Sequence, residues 1–381
     1  MSATPLYQEI YDTLRGEILA GKYAPGTQLP TEKQLCNHFS VSRITAKHAL
    51  DMLAQDGFIE RIKGKGSVVL FSSARDNPQA SPLRNVCGKL LGVILSDVNE
   101  AFGLRVVYGI EAECKKNNMS MILRCCHGDL EQEQKAINDL TALGVCGLVI
   151  IPITSEYYNT SILQLVLGNF PVVILDRQMK GHNTCYVGTD NTASTREAMD
   201  LLFSLGHKTI AWISSPAVHM STLEEREQAV QNSFLERGLV PNRELWYQEV
   251  SSSPHLHHKP DENLENIHAL AAHFRKHPEI TAVFASEYLV ALYVKYGAEA
   301  AGLSIPDDLS VVCFDSPEPL VGIHEFTHIR QEEEVMGSKA VSLLLAQVSG
   351  HAKENKEQVR IPAKLVVGRS TTSVTLEPNA H

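Results

Sequence analysis

The 381-residue sequence has no run approaching eighteen uninterrupted apolar residues, so nothing in it reads as a membrane-spanning helix. It also lacks the basic start and apolar stretch of a secretory signal, because Met1-Ser2-Ala3-Thr4-Pro5-Leu6 leads straight into an amphipathic pattern. A cytoplasmic protein is expected. No Cys-x-x-Cys pair occurs among Cys36, Cys87, Cys114, Cys125, Cys126, Cys146, Cys185 and Cys313. Most stand among apolar neighbours, where cysteine acts as a small hydrophobe, and free thiols are expected. Absent too are a G-x-G-x-x-G fingerprint, a phosphate-cradling G-x-x-x-x-G-K-[ST] loop and a G-x-S-x-G elbow. His255-Leu256-His257-His258 sits in a Ser/Pro/His stretch without regular ligand spacing and is not read as a metal site. No catalytic residue, cofactor or metal is assigned.

What is present is length enough for two or three domains, with an ordinary soluble composition of 44% hydrophobic and 20% charged residues. The net charge of −10 is unevenly spread. Residues 1–72 hold eight Lys/Arg against seven Asp/Glu, a net +1, so the remainder carries −11. An acidic body repels DNA and confines any duplex contact to one small basic face.

A stretch from Ser72 to Pro82, with two prolines, small polar residues and no periodicity, reads as a linker. Before it, Leu6, Ile10, Leu14 and Ile18 recur every fourth residue as one helical stripe that Gly21 can end. A second helix starts at Thr31, with Gln34 at the capping-box spacing and Leu35 and Phe39 as its buried face. A third is capped by Ser42 and runs through Ala46, Ala49, Leu50 and Leu53 towards Gly57. Two β-prone runs, from Phe58 and up to Leu70, then flank a Gly64-Lys65-Gly66 tip and predict a hairpin. Arg43, Thr45 and Lys47 project from the first turns of the third helix, where a recognition helix meets major-groove edges. Arginine can bridge guanine O6 and N7, while Thr45, Lys47 and the helix N-terminus can hold phosphates. A thin hairpin carrying Lys63 and Lys65 suits the backbone or the minor groove.

Residues 5–70 closely resemble the winged-helix domain of the GntR family, through Pro5-Leu6-Tyr7, Pro25-Gly26, Leu29-Pro30-Thr31-Glu32, Phe39-Ser40-Val41-Ser42-Arg43, Thr45, Ala49-Leu50, Arg61 and Gly64 to Ser67. The resemblance implies DNA contacts by Lys33, Ser42, Arg43, Thr45, Lys47, Arg61, Lys63, Gly64, Lys65 and Gly66. At Lys47 the family pattern has arginine; lysine keeps the charge without the planar fork and suits a phosphate.

After the linker, apolar strand candidates alternate with helix-period stretches. The strands are Leu90–Leu95, Met119–Leu123, Gly147–Ile151, Val172–Leu175, Thr209–Ile213, Ala282–Ala285 and Leu309–Phe314. The helices are Val106–Lys116, Leu130–Leu143, Ala193–Leu205, Leu223–Leu235, Leu264–Phe274 and Leu289–Ala301. Such alternation implies parallel sheets covered on both faces, and almost 300 residues imply two lobes, with ligands beyond the carboxyl ends of the strands. About residues 88–375 resemble the effector domain of the LacI/GalR family, similar to periplasmic sugar-binding proteins. The landmarks are Leu91-Gly92-Val93-Ile94 with Asp97, Asn99 and Phe102; Pro171 to Arg177; Val187-Gly188-Thr189-Asp190-Asn191; Leu205-Gly206-His207; Ile305 to Val312 with Phe314-Asp315; and Gly368-Arg369-Ser370. The pairing of the two domains resembles the arabinose-repressor subfamily.

The expected fold class is thus an α+β winged helix-turn-helix domain (1–72), a linker (73–87), and an α/β two-lobed periplasmic-binding-protein-like domain (88–375). A sugar cleft needs an aromatic platform with carboxylates and arginines that bond several hydroxyls at once. The candidates are Asp97, Phe102, Ser155, Arg177, Asp190, Arg226, Glu287 and Asp315. The resemblance implies that Arg226 and Asp315 hold sugar hydroxyls. Asp176 and Arg177 can instead form a structural pair, Phe102 can be core, and His207, in an apolar turn, reads as a buried structural histidine. Ala285-Ser286-Glu287-Tyr288 departs from the family's Asn-Asp after this strand, which leaves the effector's identity open. The expected function is a homodimeric transcription repressor that holds a double-stranded DNA operator and is released by a small sugar, with arabinose one candidate. An activator of the same architecture, or a sugar-processing enzyme with an accessory DNA-binding module, is the alternative. A transport-type binding protein does not fit the winged helix.

Overall fold

The computed structural model describes residues 6–19, 22–24, 26–55, 58–62, 66–70, 89–154, 160–216, 220–251, 260–319, 321–350 and 356–374. The chain divides into two compact units, Met1–Pro82 and Leu83–His381. The expected linker, the hairpin tip at Lys63, Gly64 and Lys65, Ser155 and the histidine-rich stretch lie outside the described residues, as do Gly21 and Gly57.

The first unit is three helices and a hairpin: α1 (Leu6–Leu19), α2 (Glu32–Phe39), α3 (Arg43–Gln55), β1 (Ile59–Ile62) and β2 (Gly66–Val69). Ile10, Leu14 and Ile18 of α1 are buried with Ala46, Ala49, Leu50 and Leu53 of α3, so the two apolar stripes close one core. Thr31 and Gln34 form the capping box, and Ser40 ends α2 at φ 53°. Ser42 Oγ then accepts the Thr45 N–H at 3.2 Å, which starts α3 two residues after the turn. β1 and β2 pair antiparallel, and Gln28 bridges to Val68 on the outer side of β2.

The second unit holds two sheets. The first lobe contains β3 (Lys89–Leu95), α4 (Leu104–Lys116), β4 (Met119–Cys125), α5 (Leu130–Ala142), β5 (Leu148–Ile150), α6 (Thr160–Leu167), β6 (Val172–Leu175) and β7 (Cys185–Thr189). The chain then enters the second lobe: α7 (Asn191–Ser204), β8 (Ile210–Ile213), α8 (Ser221–Leu235), α9 (Pro260–Lys276), β9 (Ala282–Ala285), α10 (Tyr288–Ala301), β10 (Ser310–Phe314) and β11 (Thr327–Arg330). It returns to the first lobe with α11 (Glu333–Val348) and β12 (Gln358–Ile361), and ends in the second with β13 (Lys364–Val366). The six-stranded sheet has order β12-β7-β6-β5-β3-β4 and is parallel throughout. The five-stranded sheet, β13-β11-β10-β9-β8, is parallel except at β13. Parallel strands are covered on both faces, which is why Val172-Val173-Ile174-Leu175 is buried at every position. α4 and α11 cross on one face of the first sheet where two glycines remove the bulk between them. A Cβ on Gly337 would stand 2.3 Å from the Val106 carbonyl oxygen, and one on Gly109 would stand 2.2 Å from that of Glu334.

The seven strands expected from sequence are all present, with bounds shifted by two residues at most. Sequence reasoning missed α6, β7, α11 and the three last strands. Two of those, β12 and β13, are only four and three residues long and lie at sheet edges, where half-exposed side chains break the apolar run. Three strand-to-element passages cross between the lobes, after β7, β11 and β12, and these line up beside the carboxyl ends of the parallel strands.

Candidate functional site

In the first unit, the start of α3 exposes Ser42, Arg43 and Lys47, with Thr45 half-buried one turn in. Lys33, Arg43, Arg61 and Gly66 line one groove of about 790 Å³ beside the hairpin. The arginines there differ. Arg43 is 84% exposed and donates through Nε to Glu32 at 2.9 Å, so the edge formed by its two terminal nitrogens stays open. Arg61 is drawn inward onto both Glu32 and Asp51. Arg61, which the sequence also placed on the DNA, is 29% exposed and is tied by its guanidinium to two carboxylates of its own domain, because strand β1 brings it beside Glu32 and Asp51. Glu32 is held below the usual carboxylate range, first by the hydrogen bond from Arg43 and further by that from Arg61, against the effect of burial. Gly66 is exposed at φ 91°, a conformation only glycine adopts freely. One exposed residue was passed over: Ile44, between Arg43 and Thr45, is 81% exposed at the helix start. A lone apolar side chain there can meet a thymine methyl group.

In the second unit, a cavity of about 120 Å³ lies between the lobes at the strand ends. It adjoins an outer one of about 350 Å³, and Asp97, Asn99, Phe102, Glu287 and Asp315 line both. Six of the eight sequence candidates, Asp97, Phe102, Arg177, Arg226, Glu287 and Asp315, meet in this cleft. Asp190 does not line it. Its carboxylate accepts the Ala193 N–H at 3.0 Å and caps α7, because the residue that ends β7 also has to start the helix. Its neighbour Asn191 reaches the site indirectly, accepting from Arg226 Nε at 2.9 Å.

Arg226 is buried on α8. Its Nη1 donates to the Ser286 carbonyl at 2.9 Å, and its guanidinium lies 3.5 Å from the Phe314 ring centre. Arg177 donates to the Ile153 and Pro152 carbonyls at 2.8 and 3.3 Å, so it does not form the ion pair with Asp176 considered from sequence. Phe102 is half-buried and serves both roles raised for it, packing on the first-lobe core while lining the cleft. Asp315 sits at φ 64° and takes both bonds of Gln331 Nε2, at 2.9 and 3.2 Å. Burial pushes Asp315 up to about 8, outweighing the opposing pull of Arg226 and Gln331. Burial likewise pushes Asp176 up.

Sequence reasoning missed Gln331 and Glu333. Gln331 joins Asp315 to Thr189, whose hydroxyl donates to its amide oxygen, and so links two of the interlobe passages to the cleft. Glu333 is buried and accepts the Gly103 N–H at 2.7 Å, capping α4 from the start of α11; burial pushes it up to about 7. Only long-range contact reveals either role. His207 is buried between the Thr281 hydroxyl and the Thr372 carbonyl, each at 3.0 Å, and burial pushes it down, as a structural histidine requires.

The geometry offers two separate chemistries: an exposed cationic helix start beside a hairpin, and a closed polar cleft with a phenyl wall. Comparison with known proteins finds a match in each unit. Residues 6–69 match the bacterial regulatory proteins of the gntR family, and residues 199–371 match the periplasmic binding protein-like domain. The chain is 22% identical over 377 residues to the arabinose metabolism transcriptional repressor of Geobacillus stearothermophilus, covering 97% of this chain and 98% of the relative. It is 27% identical over 322 residues to the HTH-type transcriptional regulator PtxS of Pseudomonas plecoglossicida, covering 84% and 88%. Among solved structures, a LacI family transcriptional regulator from Enterococcus faecium with bound ribose superposes with a TM-score of 0.62 at 23% identity, over 75% of this chain and 100% of that one. That likeness carries the fold.

Proposed function

We propose that this chain, whose residues 6–69 match the gntR family and whose residues 199–371 match the periplasmic binding protein-like domain, is a sugar-responsive transcription repressor of carbohydrate-utilisation genes. It acts as a homodimer and places the start of α3 of each copy in the major groove of an operator half-site. Arg43 reads a base edge with its free terminal nitrogens, Ile44 meets a thymine methyl, and Lys33, Ser42, Thr45 and Lys47 hold phosphates. Lys63, Gly64, Lys65 and Gly66 supply the remaining contacts to the duplex.

The observation that carries the ligand half of the reading is the convergence of Asp315, Arg226, Asp97, Glu287 and Phe102 on one interlobe cleft. Carboxylates and fixed guanidiniums can bond adjacent hydroxyls, while Phe102 offers a face for the apolar side of a sugar ring. Gln331 and Thr189 connect that cleft to the passages between the lobes, so a ligand that prefers one lobe angle biases the whole unit. A coupling of about 1–3 kcal/mol suffices to release DNA. Fluorescence anisotropy on a labelled operator tests this directly. Adding the effector should weaken binding about 5- to 150-fold, and an operator affinity unmoved by every ligand that calorimetry shows to bind the cleft would refute the coupling.

A further inference from the structure

The two lobes meet through more than the chain crossings. Around α8, whose start lines the inner cavity, Arg360 of β12 pairs with Glu225 at 2.7 Å and Lys180 pairs with Glu224. Beside the outer cavity a different pair joins the lobes: Arg105 Nη2 of the first stands 2.8 Å from Glu318 Oε1 of the second. Arg105 follows Phe102 by three residues, and Glu318 follows Pro317 directly. Phe102 and Pro317 both line that cavity, so the pair spans from one of its walls to the other.

Neither side chain is explained by its own element. Arg105 lies in the first turn of α4, where the positive end of a helix disfavours a cation, and Glu333 already caps that turn through the Gly103 N–H. Glu318 lies in the loop after β10, facing Arg330 at 3.8 Å and His324 at 3.7 Å. Both belong to the second lobe and move with it, which keeps the Glu318 carboxylate at the border. Arg105 is the partner that comes from across the cleft. A half-exposed ion pair braces a fold only weakly, but an equilibrium between open and closed lobes responds to a bias of a few-fold.

We propose that Arg105 and Glu318 form a clasp across the outer cavity that favours the closed cleft and so sets effector affinity, without touching the effector. They are positioning residues. The claim about affinity rests on the proposed function; the claim about closure does not.

Hydroxyl-radical footprinting of the ligand-free full chain tests closure. In Arg105→Glu, which sets two carboxylates face to face, Phe102 and Met220 of the cleft wall should oxidise about twofold faster or more. Met199 and Met336, wholly buried, should not change and so report an intact fold. Arg105→Gln, a milder change, should move Phe102 and Met220 in the same direction. Calorimetry with L-arabinose, D-ribose, D-glucose and D-galactose then tests affinity on the tightest binder. Glu318→Gln should raise its Kd about two- to fivefold, and Arg105→Glu about fivefold or more. Made on the Glu318→Gln background, Arg105→Glu should cost less than about twofold, because the two act as one pair. Cleft oxidation unmoved in both Arg105 variants, or losses of affinity that simply add, overturns the clasp and leaves a sugar-responsive regulator in place. Silence across the sugar panel overturns the proposed function, while footprinting still decides the clasp.

Discussion

Asp176 and Asp315 hold the same station in the two lobes. Each follows a central parallel strand, β6 or β10, and each adopts a left-handed backbone, at φ 62° and 64°. Each donates its N–H to a carbonyl of the next strand, Val187 at 2.8 Å and Ile329 at 3.0 Å. The two lobes thus present matched carboxyls to one cleft from opposite sides. Aspartate tolerates this backbone where a β-branched residue would strain.

That station makes stability depend on pH. Asp315 titrates at about 8 in the folded protein, whereas an unfolded aspartate titrates near 3.9. Between those values the folded state keeps a proton that the unfolded chain has lost. Asp315 therefore contributes a stability that falls as pH rises from about 4 to about 8, at up to about 1.4 kcal/mol per pH unit. Asparagine fits the left-handed backbone and cannot ionise. Urea denaturation of Asp315→Asn should show the variant gaining on the parent protein steadily from pH 5 to pH 8. A stability difference that stays flat across that range would show that Asp315 is ionised in the fold.

Arg226 tests the cleft itself. Because its guanidinium bonds Asn191 and Ser286 and stacks on Phe314, alanine would remove packing as well as charge. Arg226→Lys keeps the charge but loses the planar fork and the stack. It should cost about 1–3 kcal/mol of stability and at least about tenfold in effector affinity. Operator binding without effector should be retained. A folded Arg226→Lys protein that takes up its sugar normally in calorimetry would place the ligand elsewhere.

The sequence carried much of this. The apolar stretches at Val172–Leu175 and Ala282–Ala285 coincide with strands to the residue, because a strand buried on both faces needs no alternation to announce itself. Thr31 and Ser42 announce their helices through local hydrogen bonds within four residues. The site was less legible wherever a role depends on a partner distant in sequence. Asp190 lies one residue from Asn191, yet only Asn191 bonds Arg226, and nothing local separates a capping aspartate from a ligand-facing one. Gln331 and Glu333 act on Asp315 and Gly103, sixteen and 230 residues away. Arg61 has the same cause: its bonds to Glu32 and Asp51 exist only once the hairpin folds back on α2 and α3.

Glu32 links Arg43 and Arg61 of the first domain, and its removal separates aiming from attraction. Its carboxylate fixes Arg43 through Nε at 2.9 Å, which orients the terminal nitrogens, and it also holds Arg61. Arg43→Ala should cost about 1–3 kcal/mol on the operator and relax base choice at one position. Glu32→Gln should act differently. One negative charge leaves the DNA face and the Arg43 guanidinium loses its anchor, while Asp51 still holds Arg61, so non-specific affinity at low salt should rise a few-fold as phosphate contacts multiply. The bidentate geometry that reads a guanine is lost at the same time, so the ratio of operator to random-sequence affinity should fall by about tenfold. Parallel salt titrations on operator and scrambled duplexes measure both quantities. If Glu32→Gln leaves that ratio intact while Arg43→Ala destroys it, Arg43 reads its base without Glu32 to aim it.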